Sequence, residues 1–170
     1  MAQQNSVKYC RTTTCTHPLS REHMEFLEEI NILFQHEGAK NCNRFSTNNI
    51  ALNLDKIEKK ISQNERRDRR PTCDLMFGIS EHERNKQIVL MECKFNQNGN
   101  FDNKFKESIR NKIEYSKYLL AHSAFFKTTF VLVKEKTFNE AKNRINRLRQ
   151  GSANLQIEPS HINDLYQRFF

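Results

Sequence analysis

No run in this 170-residue chain approaches the ~20 consecutive apolar residues that a bilayer-spanning helix needs, so no membrane partner is expected. The opening "MAQQNSVKYCRTTTCTH" lacks the apolar segment of a secretory signal, and a cytoplasmic protein is the expectation. Internal repeats and strongly biased segments are missing too, which excludes solenoid and low-complexity architectures. Cysteine is scarce and odd in number: Cys10, Cys15, Cys42, Cys73 and Cys93, two of them inside strand-like runs, are poor material for a disulfide framework and are expected to be reduced thiols. Cys10, Cys15, His17, His36 and Cys42 offer zinc-ligand chemistry, but their spacing matches no usual pair of knuckles. Hydrophobic residues make up only 36% of the chain, yet 13 phenylalanines and regularly spaced Leu and Ile exclude wholesale disorder.

What is present is one domain's worth of chain with a basic surface. Lys and Arg number 28 against 20 Asp and Glu, a formal charge of +8 that draws anions to the surface. Nucleic acid is the commonest partner for such a balance, and simple solubility is the competing explanation. Residues 1–19, polar and threonine-rich without periodicity, read as a mobile or loosely docked N-terminal arm, leaving 20–170 as a single domain.

Ser20 is placed to cap a helix over about 21–37, where Phe26, Leu27, Ile30, Leu33 and Phe34 form one stripe and Gly38 suits the exit. Glu22 and Glu29 border that stripe, Glu37 lies within it, and Glu25 and Glu28 point away. "NNIALNL" at 48–54 alternates as a strand does and equally opens a helix through Ile57 and Ile61. After the charged loop "SQNERRDRR", the runs "TCDLMFGI" and "KQIVLMECKF" predict two antiparallel strands joined by a long polar turn, "SEHERN". Phe105, Ile109, Ile113, Ser116 and Leu120 predict a helix over about 102–122, and "TTFVLV" a strand covered on both sides. A basic helix from Phe138 to Leu148, an edge strand in "NLQIEP" and a terminal helix in "SHINDLYQRFF" complete the pattern. The class is α/β: a mixed central sheet of four to five strands with helices on both faces.

Three charges interrupt this pattern. Strand alternation puts Asp74 on one face of its strand, and Glu92 and Lys94 together on one face of the next, among residues that are otherwise apolar. Two like charges buried together lose hydration and repel each other. A divalent cation removes the difficulty. Mg²⁺ prefers carboxylate oxygen and keeps several waters, leaving room for a phosphate; bound water becomes easier to deprotonate, and Lys94 stands where an ammonium can orient it or stabilise charge on phosphorus. The bland alternative is a solvated cross-strand ion pair worth under ~1 kcal/mol.

Pro71–Thr72–Cys73–Asp74, seventeen intervening residues, Glu92–Cys93–Lys94 and a following helix resemble the PD-(D/E)XK nuclease superfamily, with the family's Pro-Asp pair split by Thr72 and Cys73. The resemblance runs from about Ser20 to Lys134 and implies a restriction-endonuclease-like three-layer sandwich. It implies a Mg²⁺-dependent endonuclease, with Mn²⁺ able to substitute, that hydrolyses DNA phosphodiesters with a metal-activated water as nucleophile. By that likeness Asp74 and Glu92 are metal ligands, Cys93 adds its backbone oxygen while its side chain faces the core, and Lys94 is catalytic. Many members add a first-helix glutamate, for which Glu29 is the first choice and Glu22 the second. A homodimer is the arrangement in which restriction-type enzymes cut both strands.

DNA contacts are assigned to Arg66, Arg67, Arg69 and Arg70, which enter just before the catalytic strand, and to Lys104, Lys106, Arg110 and Lys112 on the next helix. The alternative reading keeps the fold without the reaction, as a catalytically silent DNA-binding or protein-interaction module of the accessory or immunity type. A cysteine–histidine hydrolase ranks last, because no histidine is placed beside a strand-end cysteine.

Overall fold

The computed structural model describes residues 7–96, 100–152 and 154–170. In chain order the elements are β1 (Val7–Tyr9), α1 (Arg11–Thr16), α2 (Pro18–Glu22), a 3-10 turn (Met24–Phe26), β2 (Leu27–Glu29), α3 (Ile30–His36), β3 (Ile50–Asn53), α4 (Leu54–Asn64), β4 (Leu75–Glu81), β5 (Arg84–Cys93), α5 (Asn103–Leu119), β6 (Thr129–Leu132), a second 3-10 turn (Glu135–Thr137), α6 (Phe138–Gln150), β7 (Ile157–Ser160) and α7 (Ile162–Phe169). The sheet order is β2-β3-β4-β5-β6-β7, with β1 also paired to β4. β2 through β5 run antiparallel to their neighbours, whereas β5, β6 and β7 are mutually parallel. Parallel neighbours need crossovers, which α5 and α6 supply.

Strand alternation sorts the core into two faces. Leu75, Phe77 and Ile79 of β4 and Val89 and Met91 of β5 pack with α3 and α7 through Leu33, Phe34, Leu165 and Phe169. On the opposite face Met76, Ile88 and Leu90 meet Leu54, Ile57 and Leu120, while Val131, Val133 and Ile157 meet α5 and α6 through Phe105, Ile109, Ala141 and Ile145. The result is a mixed sheet between two helical layers. It has seven strands rather than four to five, the additional ones being the three-residue β1 and β2.

Residues 7–19 are not a loose arm. β3 pairs with β4 only at Leu75 and Met76, so the remainder of that β4 edge needs other partners. β1 pairs from Ile79 to Glu81, while the Gly78 N–H donates to Thr14 Oγ1 and the Cys10 N–H to the Gly78 carbonyl, both at 2.8 Å. A Cβ on Gly78 would lie 2.5 Å from the Thr13 side chain, so glycine is what allows α1 to seat there.

The single helix expected over 21–37 is broken. His17 rather than Ser20 caps α2, whose first turn holds Pro18; the chain then extends as β2, pairing Leu27 with Leu52, before α3 begins. Pairing along β3 satisfies backbone groups that would otherwise stand open at the sheet edge, and it overrides the helical spacing. Around 50–64 both readings hold in succession: β3 ends at Asn53, whose side chain accepts the Lys56 N–H and caps α4. The β4–β5 connection is a tight two-residue turn, with His82 and Glu83 at positive φ (48° and 61°), as a twist-matched hairpin requires. Among the described residues no helix is long and apolar enough to cross a membrane.

Candidate active site

β4 and β5 pair with Leu75 opposite Met91 and Met76 opposite Leu90, and Asp74 is the residue that immediately precedes β4 at this end of the ladder. The Asp74 N–H donates to the Met91 carbonyl at 3.1 Å, and Asp74 Oδ2 accepts the Cys93 N–H at 2.6 Å. Both carboxylates look toward α5. Lys112 Nζ, from the third turn of that helix, donates to Glu92 Oε1 at 2.7 Å and lies 3.8 Å from Asp74 Oδ1. Lys94 Nζ is also 2.7 Å from Glu92 Oε1. Asp74, Glu92 and Lys94 therefore gather on one side of the sheet, and the Cys93 side chain is buried in the other helical interface, as expected.

Glu92 is 1% exposed, and while its Oε1 serves two ammonium groups, its Oε2 is buried without a hydrogen-bond partner. An anionic oxygen in that state is costly unless a cation or donor reaches it. Burial, and then the charge of Glu92, push the Asp74 carboxyl up to about 7, against the pull of Lys112 and the Cys93 N–H. Burial opposes the charge on Lys112, but Glu92 and Asp74 outweigh it and raise its affinity for the proton.

Of the glutamates Glu22, Glu29 and Glu37, it is Glu37 whose charge is coupled to Glu92, Lys94 and Lys112; the structure does not bring Glu29 or Glu22 to the acid pair. Glu29 stands opposite Ile50 at the outer edge of the sheet, with β3 between it and β4, and Glu22 is largely exposed beside His23. Glu37 caps the C-terminus of α3; its carboxyl is pushed up by burial and then by the negative charge of Asp55 and Glu92, with Lys112 and Lys94 opposing. Its sequence signal was an acid inside an apolar stripe.

The basic residues divide by role. Lys112 is withdrawn from the DNA-contacting set because it is committed to the acid pair; its spacing from Ile109 (three residues) and Ser116 (four) puts it on the buried side of α5. Arg67 is also withdrawn: it donates to Glu58 Oε1 at 2.6 Å and Oε2 at 3.2 Å and to the Tyr115 hydroxyl at 3.1 Å. Glu58 is 0% exposed and further accepts the Arg70 N–H and the Tyr115 O–H. Arg69 is paired with Asp55. Arg66 and Arg70 are exposed, the Arg70 guanidinium lying over the Tyr115 ring, and Lys104 and Arg110 are exposed along α5, with Lys106 half-buried.

Among the described residues no group of three or more His, Cys, Asp or Glu gathers as a metal cage. The cysteines are free, and the candidate zinc residues form no such group. Two carboxylates with an orphan oxygen beside two ammonium groups nonetheless have the chemistry of a hard-cation site that leaves coordination positions to water and phosphate. Compared with protein-family models, curated proteins and solved structures, the chain matches none.

Proposed function

We propose that this chain is a Mg²⁺-dependent endonuclease that hydrolyses DNA phosphodiesters, built on the PD-(D/E)XK plan that the order Asp74…Glu92–Cys93–Lys94 resembles. The observation that carries the reading is the convergence of Asp74, immediately before β4, and Glu92 of β5 on the Lys112 ammonium, with Glu92 Oε2 buried and unpartnered and Lys94 on Oε1. The strand order supports it as well: an antiparallel acid-bearing hairpin, a crossover helix, then a parallel strand.

Asp74, Glu92 and the Cys93 carbonyl would hold the cation. Mg²⁺ bound there supplies acidified water and neutralises charge growing on the phosphate. Lys94 holds a proton donor on the same face as both acids, placed to orient the nucleophile and to meet anionic oxygen. Lys112 balances the two acids before a cation arrives. Arg66, Arg70, Lys104 and Arg110 offer exposed charge to backbone phosphates, and a second copy of the chain would let both strands be cut.

One feature favours a second reading. The Lys112 ammonium occupies the space between the carboxylates, and a lysine fixed there for good would leave a silent nucleic-acid-binding scaffold. The two readings part on a direct assay. Purified protein incubated with supercoiled plasmid, linear duplex, single-stranded DNA and RNA should cut DNA with Mg²⁺ or Mn²⁺ and not with EDTA. Asp74→Ala and Lys94→Ala should abolish cutting; cleavage that survives both substitutions overturns the enzymatic reading.

A further inference from the structure

The parallel strands β5 and β6 and the strand β7 end at a hollow of about 700 Å³. Crevices outside the carboxyl ends of such strands are where open α/β sheets bind ligands. This one adjoins the acid pair through two backbone links. Lys94 leads directly to Phe95 and Asn96 in its wall, and Glu37 leads to Gly38. Gly38 has φ +110°, and a Cβ there would fall 2.5 Å from the Asn96 side chain; Asn96 in turn donates to the Glu37 carbonyl at 3.4 Å. The acid site and the hollow thus share a tightly packed boundary.

The lining has a distinct chemistry. Cys42 and Phe95 give an apolar floor; Asn41, Asn43, Asn96 and Asn163 bring carboxamides, which both donate and accept; and Lys40, Arg44 and Lys134 place cations at the wall against Glu135. Arg44 lies over the Tyr166 ring, 4.7 Å from its centroid, so its guanidinium is held without losing its charge. Flat heteroaromatic rings with donor and acceptor edges fit carboxamides over an apolar floor, and a phosphate fits the cations.

We propose that the hollow binds a nucleoside 5′-phosphate unit, and, resting on the nuclease reading, that this unit is a nucleotide of the substrate strand flanking the scissile bond. The base meets the carboxamides and Phe95, and its phosphate meets Lys40, Arg44 and Lys134. The hollow then makes cutting sensitive to the base at one fixed distance from the break.

The test is equilibrium binding in EDTA, where no turnover occurs, using a fluorescein-labelled single-stranded oligonucleotide displaced by each deoxynucleoside 5′-monophosphate or by inorganic phosphate. At least one mononucleotide should displace the oligonucleotide ten-fold more effectively than phosphate does. Asn41→Ala/Asn43→Ala, both exposed and so tolerable to the fold, should reduce that advantage to the level of phosphate; Lys40→Ala/Lys134→Ala should weaken mononucleotides and phosphate alike. A mononucleotide that binds directly, by calorimetry, without displacing the strand would assign the hollow to free nucleotide while keeping its chemistry. Phosphate competing as well as every mononucleotide, or the carboxamide variant behaving as the parent, overturns the proposal. Plasmid cutting by the parent in Mg²⁺ is scored separately: cutting without mononucleotide binding removes the hollow alone, and mononucleotide binding without cutting removes the nuclease reading alone.

Discussion

At the scale of single residues, Asp74 and Lys112 set opposite demands on one small volume. A carboxyl held protonated up to about 7, while the unfolded chain releases its proton near the ordinary value of about 4, costs the fold stability as pH rises between those values and a constant amount above them. Asp74→Asn keeps the shape and removes the titration. Its urea unfolding curves in EDTA should therefore show stability rising relative to the parent from acid to neutral pH. Lys112→Met acts in the other direction, leaving the acids without one of their two ammonium partners. The metal-free variant should lose about 1.5–3 kcal/mol, the contribution of one hydrogen bond to a charged group. In exchange the variant should bind Mn²⁺ at least ten-fold more tightly by calorimetry, because the ammonium that lies between the two carboxylates is gone and only Lys94 still competes for Glu92. Both residues were visible in the sequence to different degrees. Asp74, Glu92 and Lys94 stood out as charges in apolar strands; Lys112 looked like any lysine of a basic helix, because which helical face a sheet will cover depends on packing far along the chain.

At the scale of elements, the loop after α4 and the edge of β4 carry the instructive cases. Four arginines in five positions suggested one phosphate grip, but Arg67 is the counter-charge of the fully buried Glu58. Burial raises the Glu58 carboxyl, but hydrogen bonds from Arg67, the Arg70 N–H and Tyr115 outweigh it and hold Glu58 below its usual range. The stability this contributes is present at neutral pH and is lost as pH falls through that lowered value. Arg67→Ala should lower the midpoint of chemical denaturation, because Glu58 is left buried without its counter-charge. Arg66→Ala/Arg70→Ala should instead fold near normally and weaken DNA binding evenly across sequences. On β4, Gly78→Val would drive side-chain atoms into Thr13 and Thr14 and unseat α1, a loss of about 1–3 kcal/mol or more.

Strongly periodic segments were legible at this same scale. α5, β6, α6 and α7 lie close to where their apolar spacing placed them, and the β4–β5 pairing follows from alternation. The short β1 and β2 were not legible, since three residues carry too little pattern; they exist because β4 and β3 have edges to fill.

At the scale of the whole molecule, the +8 charge acts as a field rather than as a set of contacts. Affinity for DNA in EDTA should fall steeply with salt, and the slope of log affinity against log salt should shrink by about one for each exposed phosphate-contacting cation removed. Ion pairing leaves that net charge unchanged but commits Arg67, Arg69 and Lys112 to acids, so fewer cations are open to phosphate contact than the count of 28 suggests.

The hairpin that delivers the acids has its turn at the opposite end, where His82 and Glu83 hold left-handed backbone without glycine. Each such residue stores strain of about 1 kcal/mol or more. The turn is therefore a natural place to graft a fluorophore or surface tether: the residues there can be rewritten as Asn-Gly with a gain in robustness. The length of the hairpin, one strand long, then separates the attachment from the chemistry.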